Sequence, residues 1–187
     1  MEHLCYRRHF LWLTGFSVAL LFSSRWRLPL DRSSAFALYG SLHALALTLS
    51  TRASRRVWKS CFFIAVAAAL SVMTFRAGLI GRQWVQGLTS GAGTYALLAA
   101  SSMLGAMAYG ISVRAFNIAP LSLPSLAAIS AGCALASCAA LFSRRCSDFL
   151  GLWWLAVTWW YAFSGGLWYS ERRRRRETSR PPRSTLN

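Results

Sequence analysis

Charged side chains along this chain gather into short clusters, and between the clusters run uncharged, mostly apolar stretches of 16 to 22 residues. The longest, Phe149–Ser170, carries five tryptophans and stops against Glu171 and a run of five arginines. At about 1.5 Å per helical residue it reaches about 33 Å, enough to cross a hydrocarbon core of about 30 Å. The same pattern predicts helices near residues 9–24, 33–51, 60–75, 94–113 and 125–142. Two of these are short for a span, but flanking basic residues such as Arg8 and Arg25 reach the interface by extending their side chains. The expected fold is therefore all-α, a polytopic transmembrane helix bundle of about six spans. A basic lead (1–8) precedes it, and a basic, disordered tail (171–187) follows. Arg76–Gly93, with five glycines, reads as an exposed loop or a short interfacial helix anchored by Trp84.

Charge adds a direction. Only 14% of residues are charged, against about 25% in a soluble domain. There are 21 lysines and arginines against five acids. These bases sit at the ends of apolar segments rather than along one soluble face, which excludes a nucleic-acid partner. The partner they fit is the bilayer, with anionic headgroups held by Arg172, Arg173, Arg174, Arg175 and Arg176. With six spans, 14 of the 21 basic residues fall on the side of the two termini, so both ends are expected in the cytoplasm. Arg7-Arg8 before an apolar run resembles a twin-arginine export signal, yet no small-x-small cleavage site follows, and the run reads as a first span. The pattern is the same for a bacterial inner membrane and for a host-cell or viral one.

Within a bilayer, helices associate through close packing and polar contacts. The fourth segment offers Ser102, Ala106 and Gly110 at a spacing of four, and the fifth offers Ala128, Gly132, Ala136 and Ala140. These two stripes are expected to face each other in an antiparallel pair. In the sixth segment Trp153, Trp160 and Trp168 share a helix face, which reads as bulky packing or lipid contact or, more sharply, as an aromatic wall for a ligand, pigment or partner helix. Trp12, Trp26, Trp58 and Trp84 fall near segment ends and suit an interfacial belt.

Candidate chemistry is sparse. His43 is the one ionisable group, thiols aside, at expected mid-bilayer depth. Such a residue marks a functional site by default, with a proton, metal or haem role, but a neutral histidine hydrogen-bonded to serine or threonine is the plainer reading. His9 is expected at the other end of its span or at the interface, which argues against a bis-histidine haem. Cys133 and Cys138 are five apart, which splays them around a helix, and no histidine or carboxylate lies near them in sequence, so no metal site is expected. The five cysteines read as small buried hydrophobes. No catalytic residue and no cofactor are assigned. The expected function is non-enzymatic: a multi-pass membrane protein acting through contacts with lipid, with other membrane proteins or with itself, as an assembly, trafficking or accessory subunit. A small channel or transporter with a path near His43 is the alternative, and an intramembrane enzyme using Cys138 or His43 is the third.

Overall fold

The computed structural model describes residues 5–24, 31–51, 57–85, 91–142 and 149–178. Residues 1–4, 25–30, 52–56, 86–90, 143–148 and 179–187 lie outside them, and with them Trp26 and Cys146. All regular structure among the described residues is helical: α1 (Tyr6–Ser24), α2 (Arg32–Ser50), α3 (Val57–Val85), α4 (Gly91–Ala115), α5 (Leu123–Phe142) and α6 (Phe149–Thr178). Three are long and apolar enough to cross a membrane, over Val57–Gly78, Tyr95–Ala115 and Leu123–Ala140.

The helix ends follow from local chemistry. Asp31 caps α2, its Oδ1 accepting from the Ser34 N–H at 3.0 Å. At the end of α4 the chain turns through Asn117 at φ 56°, the left-handed region that asparagine tolerates. The Ile118 N–H then donates to the Val113 carbonyl at 2.9 Å, and the Asn117 N–H to the Arg114 carbonyl at 3.0 Å. Val113 and Ile118 are both buried, which completes the C-terminal capping motif. Ser122 caps α5, and Pro124 follows within its first turn.

Two boundaries differ from the sequence reading. The stretch from Arg76 to Val85 is the last part of α3 rather than loop. Gly78 and Gly81 permit this because α4 lies against them: a Cβ on Gly81 would sit 2.7 Å from the Leu97 side chain. Likewise α6 continues through the arginine run to Thr178. Glu171 pairs with Arg175 one turn on at 2.9 Å, and the Arg172 guanidinium lies 5.2 Å over the Trp168 ring. Basic side chains in a last helical turn also complement its dipole.

Successive helices run antiparallel and pack side by side, α2 on α3, α3 on α4, α4 on α5 and α5 on α6. Then α1 lies against both α2 and α6 and closes the ring. Its register is set by the Cys5 N–H donating to the Ser50 carbonyl at 3.0 Å, Tyr6 Oη donating to the Leu167 carbonyl at 3.0 Å, and Trp153 Nε1 donating to the Ser17 carbonyl at 3.0 Å. One core groups Phe63, Tyr109, Val113, Cys133, Phe163 and Leu167; a second groups Leu13, Tyr39, Val157 and Trp160.

Polarity is distributed unlike that of a water-soluble bundle. His9, His43, Ser130, Ser137 and Ser164 are buried, while Leu11, Phe22, Trp58, Met73, Leu104, Leu135 and Tyr169 point outward. In α3 only 11% of the Val57–Gly78 window is buried within the bundle. Water would penalise such a surface; hydrocarbon would not.

Candidate functional site

His43 lies near the middle of the ring, 1% exposed, on the face of α2 that looks toward α4 and α6. Its Nδ1 is 2.9 Å from Tyr109 Oη on α4, and its Nε2 is 3.2 Å from Ser164 Oγ on α6. Aromatic rings surround it. Trp160 stacks on the imidazole at 6.0 Å between centroids, and Trp159 and Phe163 meet it edge-on at 5.8 and 5.7 Å. Such a cage leaves the two ring nitrogens no partners but the hydroxyls, and those are supplied.

His9 joins the same group. Its Nε2 is 2.8 Å from Ser164 Oγ, it is fully buried, and its ring centroid is 5.9 Å from that of His43. Sequence reasoning put His9 away from His43, because it could not know how α1 is registered on α2. With Cys5 opposite Ser50, antiparallel pairing brings His9 level with Ala46, one turn from His43. Ser164 fills the space between the imidazoles, so the pair forms a hydrogen-bond chain rather than two axial ligands.

Beside His43 is a partly enclosed cavity of about 240 Å³. Its walls come from α2, α3, α4 and α6, with Ser137 from α5, and are mostly apolar. One end lies among Phe36, Phe75, Gly78 and Leu97; Phe36 and Phe75 stack there at 4.2 Å between centroids. Ser102 and Ser137 line the wall nearer the level of Gly78, while His43 and Tyr109 lie at the other end. Beyond it Phe63, Val113, Phe163 and Leu167 are packed solid toward the α6 C-terminus. Tyr39 also lines the cavity, and its buried hydroxyl has no hydrogen-bond partner among the described residues. In the cavity wall α2 and α4 each approach α3 closely at a glycine. A Cβ on Gly40 would sit 2.7 Å from the Ala67 carbonyl oxygen, and one on Gly105 would sit 2.6 Å from the Thr74 side chain.

The other candidate residues scatter. On α4, Ser102 bonds Ser137 Oγ at 2.8 Å and the Cys133 carbonyl at 3.1 Å, Ala106 is fully buried, and Gly110 lies against Leu126. On α5 the stripe is not the face turned to α4. Ala140 is buried, but Ala136 is half-buried, Ala128 is exposed, and a Cβ on Gly132 would meet nothing. Leu126, Cys133 and Ser137 make the contact instead, because α5 is rotated so that its hydroxyls find partners. Nor do the three tryptophans form one wall. Trp160 is buried, Trp153 is half-buried against α1, and Trp168 is 41% exposed beneath Arg172. Trp159 and Trp160 are the indoles that line the cavity. Cys138 is not among its walls; its thiol donates weakly to the Tyr95 carbonyl at 3.8 Å. Of the arginines in the run, Arg174 is half-buried and the other four are exposed. Among the described residues no three histidine, cysteine or acidic side chains converge as metal ligands would.

No protein-family model, curated protein or solved structure matches this chain.

Proposed function

We propose that this chain is a six-span integral membrane protein, with both ends in the cytoplasm, that binds a small and largely apolar molecule inside its bundle. The observation that carries this reading is the cavity beside His43, mostly apolar along its walls with a few hydrogen-bonding side chains among them. A 150 Å³ apolar cavity holds benzene, so about 240 Å³ holds a molecule of roughly ten non-hydrogen atoms. A mostly apolar body with one or two polar groups matches the lining, a balance common to small-molecule sites. The six-span topology is supported by the apolar outer surface and by the basic residues gathered at the ends of the helices. A reporter that works only in the cytoplasm, fused after residue 187, is expected to be active.

Trp159 and Trp160 give the binding test, since a brominated ligand quenches a neighbouring indole. In detergent, 4-bromophenol is expected to quench part of the tryptophan emission saturably. Ser101→Phe, which fills the cavity from α4, is expected to remove that saturable component. Quenching that never saturates, or that survives Ser101→Phe unchanged, rejects the site.

A second reading, contact with another membrane protein or a second copy, is favoured by the outward face of α5, where Ala128 is exposed and Gly132 meets nothing. Gly132→Leu would then abolish recovery of the partner while leaving 4-bromophenol quenching intact.

A further inference from the structure

Four side chains from four helices form one unbroken hydrogen-bond chain. His9 Nε2 lies 2.8 Å from Ser164 Oγ, Ser164 Oγ lies 3.2 Å from His43 Nε2, and His43 Nδ1 lies 2.9 Å from Tyr109 Oη. None of the four is more than 3% exposed. His43 and Tyr109 line the cavity, whereas His9 and Ser164 do not. The far end of the chain, His9, is one helical turn from Cys5, which is exposed at the start of the bundle. The geometry points to a proton relay that joins the N-terminal end of the bundle to the molecule held in the cavity. This deepens, and rests on, the reading of the cavity as a ligand site.

Valence fixes how the relay works. A neutral imidazole carries one N–H and a hydroxyl one O–H. Ser164 cannot donate to both histidines, and a continuous relay requires that it donate to one and accept from the other, which places opposite tautomers on the two imidazoles. In one arrangement His9 Nε2–H donates to Ser164, Ser164 donates to His43 Nε2, and His43 Nδ1–H donates to Tyr109 Oη. The hydrogen of Tyr109 is then free to face the cavity, and His9 Nδ1 is a bare lone pair. In the other arrangement every donor and acceptor is reversed, and the His9 proton sits on Nδ1.

His9 Nδ1 is buried on the Ala46 side of the ring and makes no hydrogen bond of good geometry among the described residues, which makes it the terminal atom of the chain. A proton taken up there releases the Nε2 proton to Ser164. The Ser164 proton moves to His43 Nε2, the His43 Nδ1 proton moves to Tyr109, and the original Tyr109 proton passes to a basic atom of the bound molecule. One proton enters, one leaves, and no charge stays on the chain. Such stepwise transfer along polarised hydrogen bonds avoids placing an isolated ion in a low-dielectric interior.

The test is nitrogen-resolved NMR of ring-labelled histidines in lipid nanodiscs, with solvent deuterium exchange. His9 and His43 are expected as opposite tautomers. Ser164→Ala is expected to slow exchange at His43 by about tenfold, the factor one hydrogen bond's free energy represents, while leaving His9 unchanged. Tyr109→Phe is expected to leave His43 exchange unaltered, because protons arrive from His9. The same tautomer at both rings in the unsubstituted protein overturns the relay without need of any variant. So does exchange at His43 that ignores Ser164→Ala or responds to Tyr109→Phe instead. Retained 4-bromophenol quenching alongside such a result sinks the relay alone, and opposite tautomers with Ser164-dependent exchange but no quenching sink only the ligand site.

Discussion

Two glycines in mid-helix positions should respond to the same substitution with opposite signs. Replacing glycine by alanine in a helix gains about 1 kcal/mol of propensity. At Gly132 the new methyl group meets nothing within 4 Å, so the gain stands and Gly132→Ala is expected to stabilise the bundle by up to about 1 kcal/mol. At Gly40 the methyl would lie 2.7 Å from the Ala67 carbonyl oxygen and 2.8 Å from Ser71 Cβ, where ordinary contact begins at 3.4 Å. The carbonyl is backbone and cannot rotate away, so α2 and α3 must part by several tenths of an ångström along a well-packed seam. Overpacking of this kind costs about 1–3 kcal/mol, which leaves Gly40→Ala destabilised by up to about 2 kcal/mol after the propensity gain. Reversible unfolding in mixed detergent and dodecyl sulfate reads both. Equal losses at both positions would mean that the Ala128–Gly132–Ala136–Ala140 stripe is the packed face of α5, and the rotation described for that helix would be refuted.

Phe163 is fully buried between Trp159, Tyr109 and His43, so Phe163→Ala should cost about 3–5 kcal/mol in the same assay. A loss below about 1 kcal/mol would place the core elsewhere. Asp31 lies outside the apolar segments, and hydrogen bonds from the Ser34 side chain and backbone hold its carboxyl below its ordinary value of 3.8. With the folded value the lower of the two, its contribution to α2 is present above 3.8 and fades as pH falls through the folded value. Asp31→Asn still caps the helix and should flatten that acid dependence, read as helicity in an acid titration; an unchanged profile would show that Asp31 is not the cap that matters.

The fold class was legible because uncharged length is a one-dimensional quantity. Six apolar stretches separated by charged clusters already predict six helices, and six are found among the described residues, with α3 and α6 running longer. His43 could be singled out by depth alone, being a lone ionisable residue in an apolar run. Where α3 and α6 end was less legible, since Gly78 and Gly81 look like loop and the arginines like a tail until Leu97 and Trp168 are placed beside them. The site itself was beyond reach. Apolar composition settles that a helix is buried in something, but it says little about which face turns inward, and in lipid both faces are apolar. Rotation and register are decided by where a few hydroxyls, imidazoles and glycines find one another across helices. That is why Ser102 meets Ser137, Gly132 does not pack, and His9 and His43, 34 positions apart in the chain, share one serine.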